Sequence, residues 1–140
     1  LSAFRLVPDI YDQESCFLAG DIAIYDEDYE GLVSTEERIS PMADVLRKVR
    51  NLILPNHGAL TSGGDVGAAT IRMILLENIA RRYLEVTRAA TAIESTPRPV
   101  DPRTAIATRK DLEGLGAERL LWQDYIERLG LADVKVFGQG

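Results

Sequence analysis

The chain has 140 residues, 46% of them hydrophobic and 27% charged, with a formal net charge of −6. Length and composition suit about one globular domain; six prolines and eleven glycines are too few for a low-complexity or collagen-like chain. A single cysteine, Cys16, rules out an internal disulfide framework and favours a reducing, cytoplasmic setting.

No apolar run approaches the roughly 20 residues of a bilayer span, and no basic stretch followed by an apolar core opens the sequence, so no membrane role is expected. Charge is unevenly spread. Residues 1–40 hold ten acids against Arg5 and Arg38, whereas residues 41–140 hold twelve acids against fourteen bases. Binding to a phosphate backbone needs clustered Lys and Arg, so nucleic acid is not an expected partner. The start at Leu1 rather than Met leads us to expect further chain upstream.

In chain order, Pro8-Asp9 reads as a turn, and Asp12 caps a short helix over residues 13–18 that Gly20 ends. Residues 21–25 alternate as a strand does. The acidic run 26–31 reads as a solvated loop, since it lacks the ligand spacing and terminal Glu of a calcium loop. A helix begins near Ser34 or Thr35, with Glu36 and Glu37 at its positive end; Pro41 predicts a break and a second helix starting there. Met42, Val45, Leu46 and Val49 form that helix's apolar face. Residues 52–55 read as a buried strand, and 59–61 as its continuation beyond Asn56-His57-Gly58.

The strongest helix starts at the cap Asp65 and runs to about Ala92. Its predicted stripe is Val66, Ala69, Met73, Leu76, Ile79, Ala80, Tyr83 and Thr87, widened by Ile71, Ile74, Leu75 and Leu84. Residues 95–107, rich in proline at their start, read as an extended linker. Residues 108–140 read as a helical extension that includes a helix over 117–129, stopped by Gly130, and a tail at Val134–Phe137.

Only one residue type here points to metal chemistry. His57 is the sole histidine, placed just after a buried strand and flanked by Pro55 and Gly58. A side chain at a strand terminus is held rigidly and can face a pocket, and imidazole is a common ligand for zinc. The same residue also reads as a satisfied structural histidine. One imidazole does not make a metal site, and no nucleophile elbow, P-loop, HExxH or CxxC occurs. Asn56 reads as a turn residue, and Cys16 as a small buried residue rather than a nucleophile.

The run Asn56-His57-Gly58-Ala59-Leu60-Thr61-Ser62-Gly63-Gly64-Asp65, entering a long helix that carries Leu76-Glu77, resembles the class II aldolase/adducin family. Residues 12–21 are similar to the segment preceding the N-H-G strand in that family. The resemblance covers about residues 8–90, with weaker likeness around Trp122.

It implies an α/β fold of three layers, a central and mostly antiparallel sheet flanked by helices, with only its C-terminal part present. Residues 1–94 would then be the C-terminal part of the aldolase-like domain. The N-terminal half, with an H-x-H pair and the catalytic acid, is expected outside this sequence. The resemblance also implies one divalent metal, zinc first with iron or manganese as alternatives. His57 would be one of three imidazole ligands, and Asn56 a neighbour fixing its tautomer.

The activity implied is that of a metal-dependent lyase, an aldolase or decarboxylase. It would act on a small hydroxy-carbonyl or hydroxy-acid substrate through a metal-stabilised enediolate, in a homotetramer. Two alternatives accompany it: a non-catalytic adducin-like interaction module, and a non-haem iron oxygenase acting on an aromatic acid.

Overall fold

Three short, mostly apolar runs build the sheet. In the computed structural model, which describes residues 1–26, 31 and 35–131, β1 is Ile22–Ile24, β2 is Asn51–Leu54 and β3 is Gly58–Thr61, in the order β1-β2-β3. β1 runs parallel to β2, with Ile22 opposite Asn51 and Ile24 opposite Ile53. β2 and β3 form an antiparallel hairpin, with Leu52 opposite Leu60 and Leu54 opposite Gly58. The described sheet is therefore mixed, where the sequence predicted a mostly antiparallel one. The reason is the crossover: α1 (Glu36–Leu46) lies between β1 and β2 and returns the chain in the same direction.

Pro41 does not split that helix. It lies inside a single α1, exposed, where it forfeits the amide that would have bonded the Glu37 carbonyl. Burial of the adjacent Met42 offsets this. Earlier in the chain, Asp12 accepts a hydrogen bond from the Ser15 amide at 2.9 Å. The turn it starts is a 3₁₀ helix over Ser15–Leu18, all four residues of which are buried. Most of the acidic run read as a loop lies outside the described residues, as does the tail at Val134–Phe137.

The long helix α2 spans Val66–Ala92, 27 residues, and Asp65 caps it by accepting from the Ala68 amide at 2.7 Å. Its buried face is Gly67, Ile71, Arg72, Leu75, Leu76 and Ile79. Only part of the predicted stripe is correct: Val66 and Met73 are exposed. The helix turns toward two partners at once, the 3₁₀ helix and a helix from the C-terminal region. Phe17, Leu18, Ile71, Leu75, Leu76 and Ile79 form the main core, and Trp122 and Leu112 pack on its edge.

The last two helices are α3, Pro102–Gly114, and α4, Ala117–Arg128. Residues 102–107, read as linker, are thus the first turns of α3. The Asp101 carboxylate accepts from the Arg103 and Thr104 amides, and proline occupies the first helical position, where no amide is required. Gly116, at φ +66, makes the turn into α4, and Gly130, at φ +68, follows its end.

Both helices fold back onto the body. Ala105 is buried with Cys16 and Ala19 in a second small cluster. The Trp122 indole lies so close to α2 that a Cβ at Gly67 would sit 2.9 Å from three of its ring atoms.

Candidate functional site

The tip of the β2–β3 hairpin carries the one histidine. β2 holds its base firmly, since Asn51, Leu52 and Ile53 are all buried. The chain reverses over Leu54-Pro55-Asn56-His57, closed by the His57 amide donating to the Leu54 carbonyl at 3.1 Å. Proline as second residue and a left-handed third, Asn56 at φ 59, is the pattern of a type II turn. Asparagine tolerates that conformation better than most side chains. Gly58, at φ +130, is in a region closed to other residues and sends the chain into β3. Pro55 is buried beneath the turn, while Asn56 and His57 are exposed at its tip. The hairpin thus carries His57 at an exposed position on its tip.

Metal binding is a question of donors. Among the described residues no group of three or more His, Cys, Asp and Glu side chains is arranged to hold a cation. His57 suits the role of one ligand, and the described residues do not complete a site around it. An apolar cavity of about 240 Å³ lies elsewhere, between residues 7–10 and 18–22 on one side and Pro99, Val100 and Ile106 on the other.

Sequence reasoning missed a second polar centre. Asp21, just before β1, has a side chain only 7% exposed, yet it is fully engaged. One carboxylate oxygen accepts from the Arg50 amide at 2.9 Å. The other accepts from Arg50 Nε at 2.8 Å and from an Arg72 terminal nitrogen at 3.0 Å. Its backbone carbonyl accepts from the Asn51 side-chain amide at 2.8 Å.

Arg72, 1% exposed in the second turn of α2, also has its Nε 2.7 Å from Glu118 of α4, without the alignment of a hydrogen bond. Its guanidinium lies 5.7 Å from the Phe17 ring centre. Arg50 reaches on to Glu113 of α3 at 2.5 Å, and Arg109 stands 3.9 Å from the same carboxylate. Burial alone would push the Arg50 guanidinium down, but Glu113 and Asp21 outweigh it and hold its pKa above the usual arginine range.

Three carboxylates and three guanidiniums compensate one another here. Charges so paired and so largely buried suit a network that builds structure. Its sequence signal is faint. Arg72 sits among apolar neighbours, where hydrophobic periodicity passes over a charged residue.

The family profile described as Class II Aldolase and Adducin N-terminal domain matches residues 1–84. The chain belongs to the class II aldolase/adducin family. Among solved structures, an L-fuculose 1-phosphate aldolase from Glaciozyma antarctica PI12 is 27% identical with a TM-score of 0.61; the alignment covers 92% of this chain and 47% of that one. An aldolase II superfamily protein from Pseudomonas syringae also gives a TM-score of 0.61, at 22% identity, covering 91% of this chain and 50% of that one. This chain therefore spans about half the length of the solved structures it matches. No curated protein matches it. The α/β architecture expected from the sequence, a small sheet flanked by helices, is that of these neighbours. No helix among the described residues is long and apolar enough to cross a membrane.

Proposed function

We propose that this chain carries one ligand-bearing part of a metal-dependent lyase of the class II aldolase type, acting on a small hydroxy-carbonyl or hydroxy-acid substrate. The observation that carries the reading is the Pro55-Asn56-His57-Gly58 hairpin tip, a strained and rigid turn that presents an exposed imidazole. Membership of the family supports it, as does the likeness to an L-fuculose 1-phosphate aldolase.

His57 is proposed as one leg of an imidazole set for a divalent cation, zinc before iron or manganese. The other legs would come from residues outside this chain. Such a cation, when bound, polarises adjacent substrate oxygens as a Lewis acid. The hairpin contributes orientation. Its turn hydrogen bond and the buried Pro55 fix the backbone of His57, and Asn56 beside it is proposed to steady the ring. A cytoplasmic homotetramer is the proposed setting.

The test is metal analysis of the longer protein with and without His57→Ala, together with cleavage assays on hydroxy-carbonyl compounds. The expected result is loss of the bound cation and of cleavage in the variant. Unchanged metal stoichiometry removes His57 from the ligand set. A protein that binds no cation even in its native form points instead to an adducin-like interaction module, and tightly held iron with oxygen consumption to the oxygenase.

A further inference from the structure

The C-terminal helices meet the rest of the molecule in an unusual way. α4 has no fully buried residue, and in α3 only Ala105 is buried. By contrast, the buried residues of the main core, Phe17, Leu18, Ile71, Leu75, Leu76 and Ile79, all belong to the 3₁₀ helix and α2. Several polar contacts join the two parts. Glu113 pairs with Arg50 at 2.5 Å, and Glu118 touches Arg72 at 2.7 Å without hydrogen-bond alignment. Arg109 donates to the Ala19 carbonyl at 2.8 Å, and the Val100 amide to the Ile10 carbonyl at 2.7 Å. An apolar contact runs beside these, with Trp122, Leu112 and Ala117 half-buried against the core and Ala105 buried on Cys16 and Ala19.

The seam is also imperfectly filled. The cavity of about 240 Å³ opens along it, with residues 7–10 and 18–22 as one wall and Pro99, Val100 and Ile106 as the other. The connection leading into the seam is irregular and holds Glu94 at φ 52, followed by Pro97 and Pro99. Segments with few buried apolar contacts open at lower free energy than the core they rest on.

We propose that α3 and α4 form a charge-latched arm, a unit that leaves the body as one piece while β1–β3 and α2 stay folded. Glu113 and Glu118 are the arm's half of the latch; Arg50 and Arg72, held in place by Asp21, are the body's half. Opening uncovers Cys16, which lies beneath Ala105, and frees Trp122 from its seat on Gly67. The sequence contains one cysteine and one tryptophan, so each is a unique reporter, one under α3 and one on α4.

The test is a comparison of the wild-type chain with the double variant Glu113→Gln/Glu118→Gln. Both side chains are partly solvent-exposed, and in the variant Arg50 and Arg72 each keep Asp21 as a counter-charge. The expected result is a rise of at least about tenfold in the rate of Cys16 labelling by a thiol reagent, the scale set by losing a partly buried ion pair. Trp122 emission should shift to the red, and amides over residues 105–128 should exchange faster by a similar factor. Amides over 71–90 should keep their wild-type rates. If both groups of amides accelerate together, arm and body open as one and the proposal fails. Unchanged labelling, emission and exchange overturn it equally. Should the double variant not fold, amide exchange of the wild-type chain in sub-denaturing urea decides. A separate, earlier opening of 105–128 supports the arm, and a single shared opening refutes it.

Discussion

Replacing Asp21 by Asn tests the ion network most directly, because the substitution keeps the shape and removes only the charge. The carboxylate accepts from one backbone amide and from two guanidinium groups, at 2.8 to 3.0 Å. An amide side chain retains one acceptor, which can still serve the Arg50 amide. Its NH₂ group then faces the donors of Arg50 and Arg72, where no bond can form. Arg72, 1% exposed, is left with Glu118 as its nearest counter-charge.

Breaking a buried ion pair from one side costs about 3 kcal/mol or more, because the remaining charge stays desolvated. At about 3 °C per kcal/mol for a chain of this size, the melting temperature should fall by ~10 °C. Urea unfolding followed by circular dichroism measures the loss, with Arg50→Gln as the comparison. Arg50 is 40% exposed, so its loss should be smaller, about 1 kcal/mol. If Asp21→Asn costs less than Arg50→Gln, the buried pairing contributes little and the reasoning is wrong.

Gly67→Ala should destabilise the chain by about 1 kcal/mol. A Cβ there meets the Trp122 ring at 2.9 Å, and this overpacking outweighs alanine's better helix propensity; a urea midpoint at or above wild type contradicts it. In a Trp122→Leu background the same change should become neutral or stabilising. At the hairpin tip, Asn56→Gly should melt near wild type while Asn56→Ala loses about 1 kcal/mol, since only the latter resists φ 59; the reverse order would contradict the turn assignment. Burial pushes the Cys16 thiol up, with the nearby Asp12 adding to it. The folded state therefore holds its proton longer than the unfolded chain. That contribution is intact below the ordinary thiol range and is lost as pH rises through it. Stability measured from neutral to alkaline pH should decline less steeply in Cys16→Ala; an identical slope would dismiss the thiol as a cause.

Much of this architecture can be read from the chain before any coordinates. The alternating residues near Ile22, the apolar run at Leu52 and the cap at Asp65 announce their elements locally, and the structure places them within a residue or two. The hairpin is equally legible, because Pro-Asn-His-Gly combines a fixed φ with residues that accept positive φ. Other features depend on partners distant in sequence. The buried face of α2 turned away from Val66 and Met73 because Trp122 and the 3₁₀ helix occupy adjacent sides of it. Arg72 is buried only because Asp21 and Glu118 meet it, 51 residues away in the case of Asp21. The start of α3 has a local signal too, since Asp101-Pro102 is a cap followed by a first-turn proline. Three nearby prolines drew attention to extension instead. The candidate site divides in the same way: His57 stands out in the sequence, while the ion network emerges only in three dimensions.

The parallel pairing of β1 with β2 sets an order of assembly. The hairpin partners are separated by a three-residue tip, so they can meet early and with little closure entropy. β1 has to find β2 across the whole crossover containing α1, and Asp21 closes that loop by gripping Arg50, 29 positions on. A contact so distant in sequence is expected to form late, and interactions made after the rate-limiting step govern how fast a protein falls apart rather than how fast it forms. The carboxylate before the first strand should then act as a kinetic fastener: Asp21→Asn is expected to speed unfolding more than it slows refolding.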